Sequence, residues 1–236
     1  MTVNAFEAGN RGYKHKNLLF WLGMVSSLVT SIKREDRILD LGCGYGLFLP
    51  LLYEIYPFHR GVGIDFDIES INIARRNLAD RGVNWPIEYF HSDEIQNQML
   101  TESFDVIFGQ EIIWWNNDLD QLAKKVFQLL KQNGKGYFTM GSHPEHPHWE
   151  KRRQQMLTNG IKSYTWSIDE VAEAFTKAGF SVGLRRLPID GFFMYHPKAT
   201  IESAGSLYSL VQTTTECKML FYFGKHEPVR QTHTIR

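Results

Sequence analysis

Only two cysteines, Cys43 and Cys217, occur in 236 residues. They offer neither a disulfide framework nor the spacing of a zinc site, so both read as free thiols in a reducing setting. An excess of either charge is also missing: 26 Lys and Arg balance 26 Asp and Glu. That balance removes any global attraction to nucleic acid or to a charged membrane surface, leaving only local basic patches open. Long apolar runs are lacking too. The apolar stretch at residues 18–25 is too short to span a bilayer. The first ten residues have no charged start followed by an apolar segment, so no leader is expected. No internal repeat or low-complexity tract is present. What remains is a globular composition, 43% hydrophobic with 14% aromatic residues. It predicts one sizeable cytoplasmic domain over residues 1–236, with enough aromatics to line an apolar cavity.

Residues 37–49, RILDLGCGYGLFL, organise the rest. An apolar run before Gly42, Gly44 and Gly46 reads as a strand buried on both faces of a parallel sheet. Glycine at that density lets the backbone turn sharply and lets a ligand come close to it. The apolar segment 47–56 then opens a helix, whose free N–H groups favour a negative ligand group. Strand, glycine turn and helix make a nucleotide-type binding unit.

The alternation continues along the chain. Strands are expected at 61–65, 87–91, 104–109 and 134–140, with helices at 68–81 and 119–130. Such a rhythm implies right-handed parallel crossovers and a doubly wound α/β sheet. Before it, residues 1–35 form a cap whose helix is expected at 17–32. After Met140 the rhythm breaks. Residues 142–166 are polar and rich in His and Pro, and 188–215 form a second insertion rich in aromatics. Between them, Ser167 and Glu170 make a capping box for a helix at 168–178. A sixth strand (181–187) and a last strand (218–223) bring the sheet to seven, mostly parallel.

The spacing of the glycines separates two ligand types. A dinucleotide fingerprint needs Gly at position 47, where Leu47 stands. The pattern DLGCGYG, from Asp40 to Gly46, instead resembles motif I of the class I S-adenosylmethionine methyltransferases. The order of the later elements is similar as well, over roughly residues 35–187 and the last strand. The resemblance implies S-adenosylmethionine as cofactor, with S-adenosylhomocysteine as product. It implies Asp40 for the cofactor's ammonium and the three glycines for its binding loop. Asp65, closing the second strand, would take the ribose hydroxyls; Asp67 reads as a helix cap. Phe66 would lie on the adenine, Asp93 would accept from the adenine amino group, and the Glu94 N–H would face the ring. A plain helix N-cap is the rival role for Asp93. In the segment FDVIFGQEIIWW, Gln110 and Glu111 fall where methyl donor and acceptor meet. The sequence there lacks the Pro-Pro motif of many nucleic-acid N-methyltransferases, which argues against DNA adenine methylation.

The acceptor side is read with less to go on. Trp114 and Trp115 either wall a pocket or pack a helix start. Tyr13 and His15 lie in the N-terminal cap, where such families often contact substrate; alone they would read as a solvated helix entrance. His143, His146 and Glu145 follow the fifth strand and supply candidates for a general base. A metal site and a plain solvated lid are the rival readings, and no metal is assigned. Lys151, Arg152 and Arg153 could hold an acidic substrate or form a solvated helix face.

The predicted function is methyl transfer to an oxygen or nitrogen of a small-molecule acceptor, beneath a lid formed by the cap and both insertions. A membrane partner is not expected, nucleic acid is disfavoured, and a homodimer stays open. The alternatives are a protein or RNA methyltransferase, an aminopropyl transferase using decarboxylated cofactor, and a catalytically silent methyltransferase-like partner subunit. An NAD(P) oxidoreductase is the weakest, given Leu47.

Overall fold

The computed structural model describes residues 14–28, 32–95, 103–193 and 195–226. Seven strands form one sheet: β1 (Arg37–Leu41), β2 (Arg60–Asp65), β3 (Ile87–His91), β4 (Phe104–Gln110), β5 (Leu130–Met140), β6 (Ser181–Arg186) and β7 (Met219–Gly224). Their spatial order is β3-β2-β1-β4-β5-β7-β6, parallel from β3 to β5, with β7 running antiparallel between β5 and β6. β1 sits at the centre of the parallel part: Leu39 pairs with Val62 on one side and Ile107 on the other. The crossover direction reverses between β1 and β4, and ligands of such sheets bind outside the carboxyl ends at that reversal.

Side chains alternate along each strand, and both faces are covered. On one face Leu39, Ile107, Phe138 and Phe223 pack under α4 (Leu119–Leu129) and α6 (Ile168–Lys177). The Phe175 and Phe223 rings stack there with centroids 3.7 Å apart. On the other face Ile38, Val106, Phe108 and Tyr137 pack under α1 (Lys14–Ser26), α2 (Phe48–Ile55) and α3 (Ile68–Ala79). Asp67 caps α3 through Glu69 and Ser70 N–H, and the Ser167–Glu170 capping box opens α6.

Three segments differ from the sequence expectation. α1 ends at Ser26 rather than near residue 32. The Ser26 and Ser27 hydroxyls both donate to the Gly23 carbonyl at 2.9 Å, competing with the next helical turn. The first insertion contains α5 (Trp149–Thr158), and the second contains α7 (Pro197–Ala204) and α8 (Leu207–Cys217). Periodicity did not reveal α5 because Trp149 alone among its residues is buried. No described helix is long and apolar enough to cross a membrane.

Candidate active site

A cleft of about 820 Å³ opens at the carboxyl ends of β1, β2 and β4. Its walls also come from α1 (Phe20, Trp21), from α5 and the residues after it (Arg152, Met156, Ile161), and from α8 (Thr213, Thr214). The cap and both insertions therefore reach the same space as the glycine loop.

The β1–β2 side is acidic. Asp40 is 1% exposed, and its Oδ1 has no hydrogen-bond partner. Burial first, then the neighbouring Asp65 charge, pushes its carboxyl up to about 7, against an opposing hydrogen bond from Gln110. Asp65 is pinned by backbone donors: Gly44 N–H to Oδ2 at 2.9 Å and Asp67 N–H to Oδ1 at 3.0 Å. Burial raises its pKa, while those N–H donors lower it. The glycines have different reasons to be there. A Cβ on Gly44 would meet nothing within 4 Å, so its bare backbone faces open cleft. A Cβ on Gly46 would lie 2.6 Å from Ala74 Cβ and from the Tyr89 ring, so that position serves packing. Gly42 lines the cleft and Gly46 does not.

Phe66 is 59% exposed beside Trp115, their rings 5.6 Å apart, and Trp115 stacks on Trp114 at 4.5 Å. All three line the cleft. Asp93 and Glu94 do not line it. The Asp93 side chain is 85% exposed near His91, and Glu94 accepts from the His91 N–H at 2.8 Å and from Arg75 at 2.7 Å. Tyr13 lies outside the described residues. His15 falls within α1, and its side chain is likewise outside them.

The opposite side carries cations. Glu111, at φ 56°, lines the cleft, and its Oε1 accepts from Lys218 Nζ at 2.6 Å and Gly141 N–H at 2.8 Å. A left-handed non-glycine residue at a strand end is strained and marks a site held in place by its surroundings. Lys218 Nζ also sits 4.3 Å from the centre of the Phe20 ring. His146 lines the cleft and His143 does not. His143 is 1% exposed; Nε2 donates to the Cys217 carbonyl at 2.7 Å, and Nδ1 lies 3.0 Å from the Glu145 carboxylate. Glu145 in turn accepts from Ile168 N–H at the start of α6. In His146, Nδ1 accepts from His148 N–H at 3.0 Å, so the ring proton of the neutral form is on Nε2. Burial first, then the Arg152 charge, pushes the His146 pKa down to about 3. Among the described residues no cluster of three or more His, Cys, Asp or Glu could hold a metal ion.

Sequence reasoning missed Lys218, Thr213 and Thr214. Lys218 sat at the edge of an apolar strand, and nothing local marked it. A lone Lys opening a strand buried on both faces was the available signal, since a buried lysine requires a partner.

Comparisons with known proteins agree with this fold. Residues 38–134 match the family described as "Methyltransferase domain". A malonyl-[acyl-carrier protein] O-methyltransferase of Bacillus cereus is 33% identical over 126 residues, covering 51% of this chain and 45% of that protein. A demethylmenaquinone methyltransferase of Lactobacillus johnsonii is 28% identical over 120 residues, covering 49% of this chain and 48% of that protein. The matches span less than half the length of these curated relatives. Among solved structures, a chain from the complex of the Haloferax volcanii Trm112 methyltransferase activator with a methyltransferase superposes with TM-score 0.79. That likeness covers 96% of this chain and 100% of that one at 17% identity, which speaks to the fold.

Proposed function

We propose that the chain is a class I S-adenosylmethionine-dependent methyltransferase that methylates an oxygen or nitrogen of a small-molecule acceptor. The observation that carries the cofactor reading is the buried, partnerless Asp40 Oδ1 beside Asp65 and the open backbone of Gly44. A buried carboxylate oxygen without a donor is costly, and an ammonium is the group that would complete it. The residues thus fit the cofactor. Asp40 would hold its ammonium, Asp65 the ribose hydroxyls, and Phe66 the adenine face. Gln110 and the Gly42–Gly46 loop would shape the amino-acid end. Asp93 would serve the adenine edge, which requires its loop to approach the cleft, whereas the Glu94 N–H already donates to the His91 carbonyl at 2.9 Å.

When bound, the cofactor supplies a methyl group on a positively charged sulfur, already electrophilic. The chain's own task is then to hold an acceptor lone pair in line and keep water away. Trp114, Trp115, Phe20 and Trp21 give the walls for this, and the cap with both insertions acts as the lid. Glu111 is the group placed to take a proton from an acceptor that must lose one. His146 acts as a donor through Nε2–H, because its other nitrogen is engaged. His143 supports the reaction through the loop it ties down. Tyr13 and His15 would add contacts from the N-terminal side.

The test is a calorimetric titration with S-adenosylhomocysteine, beside Asp65→Ala and an NADH control. Saturable binding is expected, weakened about 100-fold in Asp65→Ala by loss of charge-assisted hydrogen bonds. No binding by the intact protein would overturn the reading. A second reading draws on the Haloferax volcanii complex, in which a methyltransferase is paired with an activator. This chain would then act with a partner subunit, and cofactor binding would appear only once that subunit is added.

A further inference from the structure

Glu111 engages only one of its two carboxylate oxygens with the protein. Oε1 accepts from Lys218 Nζ at 2.6 Å and from Gly141 N–H at 2.8 Å, whereas no described residue donates to Oε2. An ionised carboxylate is acceptor-only and has lone pairs on both oxygens, so Oε2 keeps its accepting capacity. The side chain is 30% exposed and lines the cleft, so the donor for Oε2 has to come from that space. Two donors on Oε1 and a left-handed backbone at φ 56° hold the head group where it is.

Charge decides which donor fits. Lys218 is 7% exposed and already neutralises Glu111. An ammonium on Oε2 would share one carboxylate with the Lys218 ammonium, and like charges that close repel strongly where little water intervenes. An uncharged O–H meets no such repulsion and makes a short, charge-assisted bond to the carboxylate. Aromatic surface adjoins the same group. The centre of the Phe20 ring lies 4.3 Å from Lys218 Nζ, and Trp114 and Trp115, stacked at 4.5 Å, follow Glu111 directly along the chain. All three rings belong to residues that line the cleft.

We propose that the methyl acceptor is an uncharged hydroxyl compound with a flat apolar body. Its O–H donates to Glu111 Oε2, and its body lies against Phe20 and the Trp114–Trp115 pair. The inference rests on the methyltransferase reading above and narrows its acceptor from oxygen or nitrogen to oxygen. The hydroxyl proton then already faces the oxygen that can receive it.

Protein saturated with S-adenosylhomocysteine would be titrated with 2-naphthol, its methyl ether, 2-naphthylamine and the positively charged 2-naphthylmethylamine, read by calorimetry. The naphthol should bind about 10-fold tighter than the ether, the worth of one charge-assisted hydrogen bond, and tighter than either amine. Glu111→Gln should remove most of that margin. Lys218→Met should invert the order, because the unpaired Glu111 carboxylate then calls for a cation and the charged amine supplies it. S-adenosylhomocysteine affinity shows that each variant is folded. An ether or an amine that matches the naphthol, no binding by any probe, or an order unchanged in Lys218→Met overturns the proposal. These outcomes leave the cofactor reading standing, whereas failure of wild-type protein to bind S-adenosylhomocysteine removes both.

Discussion

The two sides of the cleft are assembled over very different distances along the chain. On the β1–β2 side, Asp40 and the three glycines lie within seven consecutive residues, and Asp65 reaches Gly44 across 21 positions. On the other side, Glu111 meets Lys218 across 107 positions, His143 meets Cys217 across 74, and His148 meets Ser209 across 61. The first side is a local device that the β1 turn builds almost alone. The second exists only once β7 and α8 have docked. A local device can be kept while distant segments change, which is how one cofactor site comes to serve many acceptors.

The contrast between the two sides breaks most sharply at Asp40. Asp40→Asn should abolish measurable S-adenosylhomocysteine binding in calorimetry while making the ligand-free protein more stable at pH 8. The sign follows from the raised pKa. The folded state holds the Asp40 proton more tightly than the unfolded chain does, so stability falls as pH rises from about 4 to about 7. The amide lacks that penalty. At ~1.4 kcal/mol for each pH unit separating the folded and unfolded pKa values, the gain is on the order of a few kcal/mol in urea unfolding. A variant that loses stability at pH 8 would refute this role for Asp40.

The glycine loop separates packing from ligand approach. Gly46→Ala should cost about 3 kcal/mol in urea unfolding, since the new methyl collides with Ala74 and Tyr89 and the backbone is left-handed at φ 68°. Gly44→Ala should cost about 1 kcal/mol for its left-handed backbone alone, yet weaken S-adenosylhomocysteine more than Gly46→Ala does. Equal effects of the two on stability would erase the distinction between these glycines.

On the Glu111–Lys218 side, His143→Gln should lower stability by about 1–3 kcal/mol through its lost buried hydrogen bonds. Turnover, once an acceptor is known, should then track the folded fraction without any change in pH profile. A profile that loses its acidic limb would restore His143 as a base. The mildest perturbation is pH itself. Below pH 7, S-adenosylhomocysteine affinity should fall by up to about tenfold for each pH unit as Asp40 takes up a proton. Calorimetry in buffers of different ionisation enthalpy should then show proton release on binding.

Much of this architecture was legible in the sequence, and the reasons for what was not are specific. The parallel strands read as apolar runs, and Ser167 with Glu170 announced α6, because those signals are local. The acidic ends of β1 and β2 could be placed because glycine spacing tied them to a turn. His143 illustrates the limit. Its position after β5 suggested a catalytic base, but its ring turns to the Cys217 carbonyl, a partner that appears only through tertiary packing. Lys218 was hidden for the converse reason: it stands just before an apolar strand, and its carboxylate partner, Glu111, follows β4 in a distant part of the chain. α5 and α8 were read as irregular insertions because few of their residues are buried, leaving weak periodicity.

β7 is the last in sequence among the described strands, yet it lies inside the sheet, between β5 and β6. Just beyond it Lys225 donates to the Phe127 and Leu130 carbonyls, closing the end of α4. During synthesis, then, β1 to β5 can pair while the ribosome is still at work, but β6 has no neighbour until residues 219–224 have emerged. Lys218 leads that final strand into place. A nascent chain would therefore bring together the Asp40–Asp65 side of the cleft well before the Glu111–Lys218 side, and a shortened product lacking that strand would keep the first without the second.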